Sequence, residues 1–594
     1  MKVELIIVSG QSQDSHPCVV LRYEEMDFLI GIPEEFQRLI KLKPFKLTKT
    51  KRLIPTYVNP QQISGLIELI QELNPRGVDS SINEELSSIL PKQLGKHLSV
   101  LDLKNYQDDV FNQMPSGLKF KRIELKNSFC FTVQFPNAPG AFDVKKAKEL
   151  GVPSGPLFRK LKNGESITLE NGQIITSDMV VGPEIQIDRI IVIDCQEISD
   201  INDLPDLSEF SIAIHFTPDE ILYNPDYISK FAGIKNNLCF PKTGDVLFES
   251  SFNLYEKVLQ KSNGHMQPLA MEHPKPPPDG FIGCTPKSTF KIFPKKDYGI
   301  KIPPIKYKPF IPEQVIPPVT TFSVTVLGTG SGYLYPHRAN SSHLIQTPSG
   351  FILLDCGPGT LSQIQRKFGF SGAIEVLKNL NCIWISHYHS DHVFGLIGLL
   401  FDRVKYTNKQ IPLMCPINLS KYVKSNESFY GNDFFKVNII QRTNNPVQVG
   451  DATIQSCEVL HVPDSMACLI TVGGKRIVYS GDRNPLHREM ERSFGNCDFL
   501  IHEATFKDED YVSEEEEALR HTTIEQAIES AKMMNAKYVL LVHSSQRYTD
   551  GDLIVKEKNA FFPVDFTTIN FDTIENDFQI IKNATEEQYC DEPT

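Results

Sequence analysis

Ile383-Trp384-Ile385-Ser386-His387-Tyr388-His389-Ser390-Asp391-His392-Val393-Phe394-Gly395-Leu396-Ile397 reads as a short apolar strand, a polar loop and the start of an apolar helix. A single histidine is most often structural. Three histidines and an aspartate within six residues, placed in a strand-to-helix loop, are a metal-ligand pattern. Alternating His387 and His389 aim two imidazoles at one ion, and Asp391 and His392, at the helix start, serve a second beside it. Neutral imidazole and carboxylate suit Zn²⁺ or Mn²⁺.

Two ions need more ligands, and the sequence beyond the run supplies them in order. His461 follows the strand-like Ala452-Thr453-Ile454-Gln455, Asp482 follows Arg476-Ile477-Val478-Tyr479, and His543 follows Tyr538-Val539-Leu540-Leu541-Val542. All three stand at C-terminal strand ends, where several strands of one sheet converge on an edge.

The N-terminal half echoes this half. Thr56-Tyr57-Val58-Asn59-Pro60-Gln61-Gln62-Ile63-Ser64-Gly65-Leu66-Ile67 aligns without gaps on Ser386 to Ile397; it keeps the Gly-Leu-Ile and replaces every histidine and the aspartate. Glu4 to Gly10 echoes Ser323 to Gly330, and Phe28-Leu29-Ile30 with Pro33-Glu34-Glu35 echoes Leu353 to Gly359. A duplicated fold with one silent copy follows.

At 594 residues the chain is long enough for several domains. Thirteen prolines between Pro268 and Pro318 predict an extended connector, because proline fixes φ and withholds a donor. No run of 18 apolar residues predicts a membrane span, and the first residues carry neither a secretory nor a transit pattern. Twelve cysteines without a C-x-x-C pair read as reduced, buried thiols, which points to the nucleus or cytosol, with the mitochondrion less favoured. The net charge of -12 argues against non-specific nucleic-acid binding but leaves room for a basic footprint.

The chain resembles the metallo-β-lactamase superfamily and, within it, the long-form tRNase Z family of tRNA 3′-processing endonucleases. The metal run identifies only the superfamily. The narrower resemblance rests on His502-Glu503-Ala504-Thr505, His521-Thr522-Thr523 and His543-Ser544-Ser545-Gln546-Arg547-Tyr548. It rests also on Phe142-Asp143, Lys146-Ala147 and Leu150-Gly151-Val152-Pro153-Ser154-Gly155-Pro156-Leu157, which look like the family's tRNA-holding arm, with Val180-Val181-Gly182-Pro183 as its return. Lys145, Lys146, Lys148, Arg159, Lys160 and Lys162 outnumber the acids of that segment, as phosphate contact requires.

The resemblance implies an α/β fold, a duplicated αββα sandwich with an inactive N-terminal and an active C-terminal copy. The expected domains are a degenerate copy over 1–255 with an arm over about 138–185, a proline-rich linker over 256–320, a catalytic domain over 321–579 and an acidic, disordered tail over 580–594. It implies one Zn²⁺ on His387, His389 and His461, a second on Asp391, His392 and His543, and Asp482 between them, with Mn²⁺ as a substitute. His521 is then the general acid, Glu503 its partner, Arg547 a phosphate clamp, and Asp355 the group that orients a ligating imidazole. The implied partner is precursor tRNA, and the duplication implies a monomer. Four departures touch substrate-lining loops: Pro358 in place of a glutamate, Ser465-Met466-Ala467 in place of an Ala-aromatic-Gly turn, Arg483 in place of threonine and Leu486 in place of cysteine. Another hydrolase of the superfamily, or a catalytically weak RNA-binding protein, remains an alternative at this stage.

Overall fold

The structure, a computed structural model, describes residues 1–42, 50–54, 64–65, 68, 117–303, 322–332, 337–510 and 520–591. Of the N-terminal echo over 56–67, only Ser64 and Gly65 fall within them; the rest of that segment lies outside the described residues.

Each half is a pair of packed sheets. In the N-terminal half one sheet runs in the order Gly299–Lys301, Thr289–Phe293, Val3–Ser9, Cys18–Tyr23, Met26–Ile30, Thr50–Ile54. Its partner runs Phe281–Gly283, Asn236–Cys239, Ile212–His215, Ile190–Ile193, Phe129–Gln134, Lys119–Glu124. The C-terminal half repeats the plan with Val437–Ile440, Ile411–Met414, Leu380–Trp384, Gly350–Leu354, Ser342–Thr347, Ser323–Gly328 and Thr568–Asn570. Its second sheet runs Val447–Val449, Ala452–Glu458, Met466–Val472, Lys475–Tyr479, Phe499–Glu503, Tyr538–Val542, Ala560–Phe561.

Duplication is written into the irregularities as well as the order. The register slips between Ile7 and Ser9 in the first strand pair, and between Val326 and Gly328 in its counterpart. It slips again between Asp27 and Phe28, and between Phe351 and Ile352. Bulges are costly interruptions of a ladder, so two at matching places in both halves mark common descent of the backbone path. Asp355 and Gly31, which follow matching strands, both hold a positive φ, 57° and 72°.

The strand Val3–Ser9 explains how the halves join. Val3, Leu5 and Ile7 pack between the N-terminal sheets, whereas Ile6 and Val8 face a core shared with Leu327, Leu344, Leu353 and Phe368 of the other half. Both faces are buried, so Leu5 to Val8 reads as a continuous apolar run. At the seam Ser64 Oγ donates to the carbonyl of Phe394, its own counterpart in the echo, at 2.6 Å. A Cβ on Gly395 would lie 2.2 Å from the carbonyl oxygen of Gly357, and one on Gly65 would lie 2.0 Å from that of Pro33. The glycine retained by the silent copy is therefore a packing requirement of the duplicated turn. Arg366 and Asp14 form a buried ion pair across the seam at 2.6 Å.

Two expectations are corrected. The proline-rich span 256–320 is not an extended connector over its described part: Glu249–Lys261 is a helix that enters it, Met266, Leu269 and Met271 join the C-terminal core, and Thr289–Phe293 pairs with Val3–Ser9. The prolines punctuate this strand (Pro286 before it, Pro294 after it), leaving its interior free to pair and to bury Phe290 and Ile292. The tail over 580–594 is not disordered as far as it is described. Ile574–Asp591 is one helix that buries Ile574, Phe578, Ile581, Ala584 and Tyr589, and Lys261 clamps Glu587 and Asp591 at 2.9 and 2.6 Å. Its acidic residues belong to the outer face of an amphipathic helix.

The arm leaves the second N-terminal sheet after Phe129–Gln134 and returns at Ile190–Ile193. At the matching place the C-terminal half has only the Gly473-Gly474 hairpin turn. Ala138 bridges Ile185 and Phe142 bridges Val181 at its base. It has a small core of its own, built from Ala147, Val152, Leu161, Ile167, Ile175 and Val180.

Candidate metal centre

Every candidate ligand leaves a strand at its C-terminal end. The strand Leu380–Trp384 launches His387 and His389, and the short helix Ser390–Val393 carries Asp391 and His392. His461, Asp482 and His543 come after Ala452–Glu458, Lys475–Tyr479 and Tyr538–Val542 on the second sheet. The two sheets thus meet at one edge, and the cluster fills that junction.

The distances define two pockets with a common wall. His387 Nε2 lies 2.9 Å from His389 Nδ1, which is 3.2 Å from His461 Nε2. One oxygen of Asp482 stands 3.6 Å from His387 Nε2 and 3.8 Å from His461 Nε2. The same oxygen is 3.4 Å from His392 Nε2 and 3.3 Å from His543 Nε2. Asp391 completes the second pocket, 3.3 Å from His543 Nε2 and 3.6 Å from His392 Nε2. Ligands held at about 2.0–2.1 Å from a tetrahedral ion stand about 3.3 Å from one another, and the distances here, from 2.9 to 3.8 Å, bracket that spacing.

The outer nitrogens test that fit. His392 Nδ1 donates to Asp355 at 2.7 Å, His461 Nδ1 to the carbonyl of Arg520 at 2.9 Å, and His543 Nδ1 to Thr505 Oγ1 at 2.8 Å. His387 Nδ1 donates to Ser386 Oγ at 2.9 Å, and that hydroxyl in turn donates to Asp355 at 2.8 Å. Each of these four rings is fixed in the tautomer that turns the Nε2 lone pair inward. Burial, with His392 beside it, holds His387 well below its ordinary protonation range. Burial would raise Asp391, but His392 and His543 outweigh it and keep the carboxylate ionised. The donor set suits borderline divalent cations.

Asp355 anchors this arrangement. Besides His392 and Ser386 Oγ, it accepts from the Ser386 N–H at 2.6 Å and from Tyr479 OH at 2.6 Å. Arg442 works from the other side: it donates to the carbonyls of Ile385 and Ser386 at 2.8 and 2.7 Å, and to the Asp464 carbonyl and carboxylate at 2.6 Å each. It therefore ties the loop that follows His461 to the strand end that precedes His387.

His521 stands over the second pocket, its Nδ1 3.4 Å from Glu503 and 3.8 Å from Asp482. Burial alone would lower it, but the charges of Glu503, Asp482 and Asp391 raise it to about 9. Geometry would also let His521 ligate with Asp482 and His543. A protonated imidazole has no free lone pair, so the pairing with Glu503 favours a proton donor instead. Glu503 is held by Thr505 Oγ1 at 2.7 Å and by the Arg483 N–H at 2.8 Å.

Thus His387, His389, Asp391, His392, His461, Asp482 and His543 converge, with His521 and Glu503 beside them and Asp355 behind. Arg547 stays exposed outside the cluster, its guanidinium 5.1 Å from the centre of the Phe506 ring. Lys145, Lys146, Lys148, Arg159, Lys160 and Lys162 are exposed on the arm. Sequence reasoning missed Thr505, Tyr479, Ser386 and Arg442. Ser386, Tyr479 and Thr505 adjoin quoted motifs, whereas nothing local marks Arg442. Of the departures, Pro358 is buried at the seam. Arg483 is buried against Glu491 at 2.8 Å and the carbonyl of His487, bracing a loop that leaves Leu486 71% exposed.

A beta-lactamase superfamily domain model matches residues 351–544. The chain is 26% identical over 652 residues to "Ribonuclease Z, mitochondrial" of Drosophila melanogaster, covering 92% of this chain and 83% of that one. It is 24% identical to "tRNase Z TRZ3, mitochondrial" of Arabidopsis thaliana, covering 94% and 83% of the two chains. A crystal structure of a long form RNase Z from yeast superposes over 100% of both chains with a TM-score of 0.69 at 16% identity, a likeness of fold. With the doubled sandwich and the His/Asp cluster at its sheet edge, these likenesses give the chain a metallo-β-lactamase fold and, as its relatives, ribonuclease Z proteins of the long form.

Proposed function

We propose that the chain is an endoribonuclease that removes the 3′ trailer from precursor tRNA, with two Zn²⁺ held by His387, His389 and His461 and by Asp391, His392 and His543. The observation that carries this reading is the shared Asp482 oxygen between two complete ligand pockets, with the His521–Glu503 pair beside it. It is supported by the relatives, which bear the names ribonuclease Z and tRNase Z.

When bound, the ions supply Lewis-acid charge to a phosphoryl oxygen and make an attacking water more acidic. The residues do the rest. Water oxygen adds to phosphorus in line, giving up a proton to solvent, as the bond from phosphorus to the ribose 3′-oxygen breaks. That oxygen is a poor leaving group, and His521 delivers a proton to it while Glu503 stabilises the imidazolium. Asp482 faces both pockets and sets their separation, and Asp355 fixes His392. Arg547 and the arm cations hold the RNA backbone. The products are a tRNA with a 3′-OH and a trailer with a 5′-phosphate.

In this reading the N-terminal half, with its strands up to Lys301, is a silent scaffold that carries the arm, the C-terminal half holds the chemistry, and the chain acts as a monomer in the nucleus or cytosol. Incubation with a 3′-extended tRNA and mapping of both product ends tests the activity. Cleavage dependent on zinc or manganese and abolished by Asp391→Ala is expected. A protein that binds zinc and hydrolyses small esters while leaving the precursor intact would overturn it.

A further inference from the structure

Where the arm joins the body, the second N-terminal sheet has a corner that is open among the described residues. A cavity of about 330 Å³ opens there, on the face that carries Lys119, Lys121, Thr132 and Gln134. Lys119 faces Gln134 and Lys121 faces Thr132 across the antiparallel pair Lys119–Glu124 and Phe129–Gln134. Arg189 closes the cavity from just before the next strand, Ile190–Ile193, and Phe210 from the adjoining turn. Both lysines are exposed, and the one carboxylate lining the cavity, Glu209, is engaged by Arg189.

We propose that this corner binds the phosphodiester backbone of an RNA strand and forms, with the arm, one continuous track; the proposal rests on the reading of the chain as a tRNA-processing enzyme. Three observations carry it. The local charge is positive in a chain whose net charge is -12, and phosphate needs only a basic footprint. Lysines two apart on one face of a strand stand about 6.6–6.8 Å from each other, so they grip successive points of an extended polyanion. Gln134 and Arg189 also lie just before the arm departs at Ala138 and just after it returns at Ile185. An RNA leaving the arm meets this corner first.

Lysines on an outer strand also deter unwanted sheet pairing. That role needs neither a cavity nor the hydroxyl of Thr132, the amide of Gln134 and the guanidinium of Arg189 gathered around it. Phe210 adds an apolar surface of the kind that accompanies cations in single-strand grooves.

The test compares the full-length protein with a Lys119→Gln/Lys121→Gln variant, binding a fluorescent 3′-extended tRNA over a range of KCl concentrations. The variant is expected to bind about tenfold more weakly at low salt, and its log Kd against log salt slope should fall by about 1.5, two phosphate contacts at 0.7–0.9 each. Zinc content, melting temperature and hydrolysis of bis(p-nitrophenyl) phosphate should stay unchanged. Equal affinity and equal slope in the two proteins would overturn the corner site alone. Failure of the unaltered protein to bind the tRNA at all would overturn the functional reading and the corner site with it.

Discussion

Asp355 accepts the Nδ1 proton of His392 at 2.7 Å, and both side chains are wholly buried behind the second ligand pocket. The bond fixes which nitrogen faces the ion, so its loss should appear first in metal affinity. Asp355→Asn is expected to weaken zinc binding roughly 10–100-fold, the usual cost of removing such a partner. Competition with a chromophoric chelator measures this, and unchanged affinity would contradict the assigned role.

Arg442 predicts a more selective defect. Arg442→Met removes the guanidinium that donates to the carbonyls of Ile385 and Ser386 and to the Asp464 carboxylate, the tie between the two loops. The pocket of His387, His389 and His461 should then lose its ion before the other does, giving about one zinc per chain by elemental analysis. Arg442→Lys should restore part of it, because one cation still reaches the carbonyls.

His521→Ala should lower cleavage of the RNA by roughly 10²–10⁴, the range for loss of a general acid, with zinc content retained. A substrate whose leaving group needs no proton, such as a p-nitrophenyl phosphodiester, should suffer much less. Equal losses on both substrates would assign His521 to the metal instead.

Across the seam, Arg366 pairs with Asp14 at 2.6 Å and also donates to the carbonyls of Gly244 and Asp245 at 3.2 and 2.8 Å. Removing one member of a buried pair strands the other charge, so Arg366→Met should cost roughly 3–5 kcal/mol in urea unfolding. Asp14 also accepts from the Leu247 N–H at 2.7 Å, which means a double replacement should recover only part of the loss.

Lys367 gives a pH dependence. Burial lowers its ammonium from 10.5 to about 7. Between these values the unfolded chain binds the proton and the folded chain does not, so stability rises with pH across that window. Below about 7 both states are charged and the full penalty of burying the ammonium remains. Lys367→Met should therefore raise the melting temperature most near pH 6, and the gain should shrink as the pH approaches 10. A gain independent of pH would place the effect in packing.

What the sequence disclosed followed from how local each signal is. The ligands lie next to their own strands, so His387 to His392, His461, Asp482 and His543 could be placed before any coordinates. Partners that lie far off in sequence could not: Tyr479 reaches Asp355 across 124 positions and Arg442 reaches Ile385 across 57. The proline-rich span misled because its prolines flank the strand Thr289–Phe293 instead of interrupting it. The tail misled because acidity was read without its helical period, which sends Phe578, Ile581 and Tyr589 inward.

Gly31 holds the left-handed backbone that Asp355 holds in the active half, with no carboxylate to show for it. A Cβ there would come within 2.7 Å of both the Phe216 ring and the Pro17 carbonyl oxygen. The place of an anchoring side chain is filled by an aromatic ring and a backbone carbonyl. An acid placed at Gly31 would collide with Phe216. A second catalytic centre is therefore out of reach of any single substitution at Gly31, because the Phe216 ring and the Pro17 carbonyl both stand where its side chain would go.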